Sequence, residues 1–484
     1  LKKQIKLALP TGSYQTRDPR ASSKRLINAF SEIQPQTAMM DLKQIMPPIT
    51  IRRMAGITEF CDDGTGNPLR GIWEMAGNVY VVIGPTLYYV TPSGTLQQVG
   101  TGITGTSFVR MSDNTACLFI LVPNSSSAWV YTAQNGFSQF TDPTFLQNGA
   151  IDVWFLDSYF VFLALTGRTF YNDDGQVVSG QGYPTFVSGA EFPREFGTDP
   201  FVGFCIDHRE ALFFGRYTSE GFVNAGNPAF SPFGSAPDSF MQIGCHPDCA
   251  YTIALQDQSV FWVANDRTVR RRNGQTPMRV SNSGIESLLE TADLTGSYAL
   301  CPTIAGHALW VLTMPQEGKS IAYDCLTTEW FELSSFKLGY WRPLAYKNVL
   351  GKQFVGDSKS GKLGFLDTTV FTEFGETIAT EFETQSVYED HNRITHRRVE
   401  VVMTAGSGSD LTTPTRITLL SSDDSGVTFR ANAPKDLGLP GERVTRAVWT
   451  NLGQSRDRVY KVEISDPSVL FAVDITAEID VNYH

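Results

Sequence analysis

One pattern recurs along the chain and restricts its fold more than any other feature. An apolar strand runs into a short polar turn, a second apolar strand follows, and a Gly-rich or Asn-Gly turn closes the unit. It appears as GIWEMAGNVYVVIGPTLYYV from Gly71 and ACLFILVPNSSSAWVYTAQNGF from Ala116. It returns as VWFLDSYFVFLAL from Val153, CIDHREALFFGRYTSEGFVNAGN from Cys205, and IALQDQSVFWVANDRTVRRRNGQ from Ile253. TIAGHALWVLTM from Thr303 and KQFVGDSKSGKLGFLD from Lys352 complete the series. The starts lie roughly 40–50 residues apart, the period of a four-stranded propeller blade. One such unit cannot bury both faces of its own sheet, so neighbours must stack against it. Turns such as Asn135-Gly136 and Asn273-Gly274 suit hairpins, because both residues tolerate positive φ.

The remaining signals define an all-β chain. Forty-two glycines and 25 prolines interrupt a sequence that is 42% apolar, enough for large cores built from short strands. The best helical segment is SNSGIESLLETADL at 281–294, where Ser283 followed by Glu286 has capping-box spacing. Beyond about residue 370 the strands lengthen and alternate, as in RRVEVVMTAG and RVYKVEISD. The expected organisation is a basic arm with lead-in strands over 1–60, a β-propeller over 61–370, and a β-sandwich-like module over 371–484.

Charge is uneven. The net charge is −11, yet residues 1–60 hold ten Lys and Arg against four Asp and Glu. A basic arm on an acidic body suggests that the arm docks on an acidic partner, and a solvated terminal strand is the alternative reading. The seven cysteines are scattered, several within apolar runs such as ACLFILV, and read as reduced thiols of a protein made in a cytoplasm. LKKQIKLALP is too short for a signal peptide of ordinary form. No apolar run reaches the ~18 residues of a membrane helix.

Chemistry-bearing motifs are few. Cys245-His246-Pro247-Asp248-Cys249 crowds two thiols and an imidazole, but no second ligand pair follows at zinc spacing, so a structural turn is expected and no metal or cofactor. There is no G-x-S-x-G elbow and no phosphate loop. The histidines at 208, 246, 307, 391, 396 and 484 fall in no triad context, and no catalytic residue is assigned. SDDSGVTF resembles the Asp box of sialidase-like propellers. There Ser422, Asp424, Gly426 and Thr428 are expected to form a structural turn, with Asp424 accepting backbone amides and Gly426 supplying the unusual dihedral.

Arg267, Arg270, Arg271, Arg272 and Arg279 place five guanidinium groups within thirteen residues. On a hairpin, alternation puts Arg270 and Arg272 on one face and Arg271 on the other, which splits the cluster. Asp266, Glu286, Glu290 and Asp293 stand close by in sequence to offset it. The solvated hairpin is the plainer reading. A DNA-channel or subunit-contact role becomes attractive where several copies form a charged collar. On the hairpin reading, replacing Arg270 and Arg272 leaves folding intact.

The order of motifs is similar to that of the tail hub, or nozzle, proteins of short-tailed phages, the packaged-DNA stabilisation family. RLINAFSE (25–32), AGITEF (55–60) and LRGIWEMAGNVYVVIG (69–84) open the series. ALFFGRYTSEGFVNAG (211–226), the arginine-bearing stretch, YDCLTTEWFEL (323–333) and FVGDSKSGKLGFLD (354–367) follow in order. SSDDSGVTF and LGLPGERVTRAVWTNLGQSRDRVYKVEISDP (437–467) close it. Gly221 departs from the pattern, standing where an aromatic residue could follow Thr218 and Glu220. The resemblance implies a non-enzymatic virion tail protein assembled with itself as a ring, a hexamer. The ring sits below the portal and adaptor, carries fibre or needle proteins, and lets double-stranded DNA pass without sequence preference. The rival reading is a glycan-binding or glycan-cleaving propeller for host attachment, drawn from the aromatic content and the Asp-box-like turn.

Overall fold

The computed structural model describes residues 2–15, 23–33, 49–172, 184–186, 190–226, 231–236, 238–390, 392–404, 414–439, 445–469 and 471–482. Each of the seven sequence repeats lies in a different sheet, and the seven sheets form the blades of a propeller. Blades 1 to 6 cover residues 69–101, 110–139, 152–192, 201–235, 254–279 and 298–333. Blade 7 takes Pro343–Val349, Lys352–Asp357 and Lys362–Asp367, and borrows its outer strand, Gly56–Asp62, from far upstream. The innermost strand of blade 7 packs on the innermost strand of blade 1, Leu69–Met75, so the ring closes. Interleaving the two ends of the propeller segment in one blade holds that closure with a hydrogen-bonded ladder as well as side-chain packing.

Aromatic and aliphatic side chains fill the spaces between blades. Phe119, Phe145, Phe160 and Phe162 join blades 2 and 3, and Trp262, Trp310 and Trp330 join blades 5 and 6. In six blades the innermost strand turns into the next through two residues that both have positive φ. Three of these pairs contain glycine: Ala76-Gly77, Ala305-Gly306 and Leu350-Gly351. The other three, Asp157-Ser158, His208-Arg209 and Asp257-Gln258, adopt the same twist without one. This is the two-residue turn that matches the right-handed twist of paired strands.

The helix expected at 281–294 spans Ser283–Thr291 between blades 5 and 6. Its cap is Asn282, whose Oδ1 accepts from Ile285 N at 3.0 Å, one residue before the expected Ser283. Ser283 instead bonds Tyr14, and Glu286 turns to Ser281 and Arg279.

A β-sandwich follows the propeller. One sheet centres on Arg393–Thr404 and Phe471–Asn482, and the other on Thr380–Glu383, Asp457–Ile464 and Arg416–Ser422. Val399, Val401, Ile475 and Ala477 meet Leu419, Tyr460 and Val462 in the core between them.

The N-terminal segment is not a free basic arm. Lys2–Leu7 pairs antiparallel with Phe471–Asn482, and Ala29–Ile33 and Ile49–Arg53 extend the same sheet. The acidic groups it meets belong to this chain: Lys2 pairs with Glu478 at 2.5 Å, Lys3 with Glu389 at 2.9 Å and Lys6 with Asp474 at 3.4 Å. Leu26–Ile27 then runs beside both Trp330–Leu333 of blade 6 and Thr380–Glu383 of the sandwich, making one continuous twelve-stranded sheet across the two units.

Candidate functional site

The arginine-bearing stretch forms the outer half of blade 5, with Val269–Arg271 paired to Ser259–Val263 and then to Met278–Arg279. Each guanidinium has an acceptor within the chain. Arg267, itself at φ 59°, donates to the carbonyls of Leu289 at 2.6 Å and Ala292 at 3.0 Å, closing the C-terminal end of the helix Ser283–Thr291. Arg270 reaches Asp266 at 2.8 Å, and Arg279 binds Glu286 through two nitrogens. Arg271 meets Asp257 at 2.9 Å and lies over the Phe261 ring.

Arg272 does something different. Its two terminal nitrogens reach Asp207 at 2.8 Å and Glu210 at 2.6 Å, both on blade 4. It therefore ties blade 5 to blade 4, where the hairpin reading leaves it on a solvated face. The departure at Gly221 has its cause here. A Cβ at Gly221 would run into the Glu210 carboxylate and the Ser239 side chain, leaving no room for an aromatic ring.

The other motifs are also placed. Cys245 and Cys249 are buried, and His246 caps the 3-10 turn Pro247–Thr252 by accepting from Asp248 N at 3.3 Å. Among the described residues, no group of three or more His, Cys, Asp and Glu is arranged to hold a metal ion. His307 bonds Asp324 at 2.6 Å inside blade 6, and His396 bonds Tyr460 and Ser455 inside the sandwich. His391 and His484 lie outside the described residues.

The turn at 422–428 sits on the sandwich. Ser422 Oγ bonds Asp424 at 2.6 Å and accepts from Gly426 N at 2.8 Å, while Asp424 Oδ1 accepts from Thr428 N at 2.9 Å. Gly426 has φ 88°, as such a turn requires. The bonds from Ser422 and Thr428 hold the Asp424 carboxyl down at about 2.

A cavity on the propeller axis has no counterpart in any sequence motif. Its walls come from the innermost strands of different blades, including Trp73, Arg110, Trp154 and Lys347. Several of its lining residues precede the repeats as they read in the sequence, Arg110 before Ala116 and Lys347 before Lys352, so the repeat pattern does not mark them. Among the described residues, no helix is long and apolar enough to cross a membrane.

Comparison with known proteins agrees with this architecture unit by unit. Residues 37–371 match the family model described as bacteriophage P22 Gp10, beta-propeller, and residues 379–480 match bacteriophage P22 Gp10, beta-sandwich. Among curated proteins, none matches the chain. Solved structures are similar only distantly. The WD40 propeller of Doa1 covers 63% of this chain and 95% of its own, with 10% identity and a TM-score of 0.37. A streptogramin B lyase covers 64% and 97%, with 10% identity and a TM-score of 0.42. The extracellular domain of the putative one component system BT4673 from B. thetaiotaomicron covers 88% and 63%, with 11% identity and a TM-score of 0.45. Likeness of this degree carries nothing about function. With both units matched in order over nearly its whole length, the chain belongs to the bacteriophage P22 Gp10 family, structural phage tail proteins that stabilise packaged DNA.

Proposed function

We propose that the protein is a tail nozzle subunit. Six copies form a ring below the portal and its adaptor, extend the DNA channel, retain the packaged genome and gate its ejection. The subunits meet head to tail, the type of contact that closes into a ring. The same ring offers attachment surfaces to fibre or needle proteins, and its role is mechanical, with no reaction catalysed.

The observation that carries this reading is the internal pairing of the arginine stretch in an acidic chain. All five guanidinium groups between 267 and 279 have acceptors in their own subunit. With a net charge of −11, a wall of such subunits offers phosphate little to hold. DNA then slides past, and retention depends on steric closure. The glycan-binding alternative draws on the turn at 422–428, whose Ser and Asp side chains are engaged in holding the turn itself.

Linear duplex DNA titrated with the purified chain tests the idea at two salt concentrations. Weak binding that vanishes by about 0.2 M salt fits a sliding wall. Tight, saturable binding that persists there contradicts it.

A further inference from the structure

The innermost strands enclose a cavity of about 510 Å³ on the propeller axis, within the size range of small-molecule sites. Six aromatic residues contribute to its walls: Trp73, Phe108, Trp154, Tyr251, Tyr298 and Tyr346. Three cationic residues join them, Arg70, Arg110 and Lys347, and among the described residues no Asp or Glu lines it, although acidic residues outnumber basic ones 50 to 39 in the chain.

The three cations are not equivalent. Arg110 is matched by Asp152 through two bonds of 2.7 and 2.8 Å and lies over the Trp154 ring. Arg70 is fully buried and turns its guanidinium to the carbonyls of Gly84 at 2.8 Å and Thr104 at 2.7 Å. It brings positive charge to the wall, and among the described residues no carboxylate is paired to it. Lys347 is part-buried, with Nζ 3.8 Å from the centre of the Trp73 ring. Among the described residues it makes no hydrogen bond or ion pair.

The carboxylates whose charge Lys347 feels are engaged elsewhere. Asp113 accepts from Trp73 Nε1 at 2.8 Å and from Thr115 N at 2.7 Å, and Glu74 accepts from Gly77 N at 2.8 Å. Burial holds the Lys347 ammonium below its usual range, which marks it as short of counter-charge.

We propose that the axial cavity binds a small organic anion, a carboxylate or phosphate carried on a flat apolar body. Lys347 is its counter-ion, and the aromatic walls take up its ring. The ammonium gains a desolvated partner, and the flat body replaces water against Trp73 and its neighbours. This site is distinct from the DNA channel of the proposed ring, since a cavity of about 510 Å³ cannot admit a DNA duplex.

Titration calorimetry with the full-length protein tests the proposal, using benzoate as probe and benzamide as its uncharged counterpart. Benzoate is expected to bind one per chain with a Kd below about 1 mM, and benzamide at least about tenfold more weakly. Lys347→Met is expected to lower benzoate affinity by a similar factor while leaving the unfolding midpoint close to that of the parent. Equal binding of the two probes, or no saturable benzoate binding, overturns the assignment. Saturation by inorganic phosphate without benzoate binding overturns the flat body. If Lys347→Met fails to fold, the benzoate–benzamide comparison on the unaltered chain still decides.

Discussion

Arg25 and Glu332 meet in a two-point ion pair, with Nε at 2.8 Å and Nη2 at 2.7 Å from the two carboxylate oxygens. The pair spans the seam at which Leu26–Ile27 splices blade 6 to the sandwich. Three residues downstream, buried Asn28 (φ 53°) donates from its side chain to the carbonyls of Ser334 and Ala379, at 2.7 Å each, and accepts from Ser334 N at 2.9 Å. The seam is therefore a fixed joint, held by backbone and side chains between the propeller and the sandwich.

Substitutions at the seam should rank accordingly. Arg25→Ala removes a part-exposed pair and is expected to cost about 1 kcal/mol. Asn28→Ala leaves three part-buried backbone groups without their side-chain partner and should cost about 2 kcal/mol. Urea unfolding of both variants measures the difference. An Asn28 variant as stable as the Arg25 variant contradicts the fixed joint.

Arg272 and Arg270 separate the inter-blade tie from the surface pair. Arg272→Met takes the cation from Asp207 and Glu210, both largely buried, and leaves Asp207, among the described residues, only its bond to His208, so it is expected to cost about 2–4 kcal/mol. Arg270→Ala breaks a pair with exposed Asp266 and should cost about 0–1 kcal/mol. Thermal unfolding of the two single variants provides the check.

How much of this was legible in the sequence follows from the range of each interaction. The blades were readable because apolar alternation and turn chemistry act within a few residues, and each quoted repeat falls in its own sheet. Arg270–Asp266 and Arg279–Glu286 are likewise short-range. Arg272 finds its acids more than sixty residues away, and Lys2–Leu7 finds its partner strand at the other end of the chain. No local pattern specifies such partners, so a segment rich in lysine reads as a free arm. The axial cavity was hidden for the same reason, since Trp73 and Lys347 meet only when the ring closes. Asp157-Ser158 and His208-Arg209 read as short polar turns, but their positive φ is hidden, because neither pair contains the glycine that usually signals it.

His396 should make the sandwich sensitive to acid. Burial, reinforced by the Arg458 charge, holds its imidazole down at about 4. The unfolded chain takes up this proton near pH 6.5, so the folded state loses stability as pH falls from about 6.5 towards 4, by up to about 3 kcal/mol. His396→Gln is expected to flatten that slope. Urea midpoints at pH 7.5, 5.5 and 4.5, compared with the parent, measure it.

Glu373 should act in the opposite sense. Burial pushes its carboxyl up to about 7, and Oε2 has no hydrogen-bond partner. The folded state keeps a proton that the unfolded chain releases near pH 4.5, so stability declines as pH rises from about 4.5 to 7. Glu373→Gln should stabilise the protein at pH 8, by up to about 3 kcal/mol, and have little effect at pH 4.5. Equal effects at both pH values would sink this assignment.

The nozzle reading stands or falls on assembly. Mass measurement and imaging of the chain mixed with the adaptor ring of its own virion test it directly. Six subunits per adaptor ring, arranged around an opening wide enough for a DNA duplex, are the predicted result. A chain that stays monomeric beside an intact adaptor ring, or joins it as a solid plug with no opening, contradicts it.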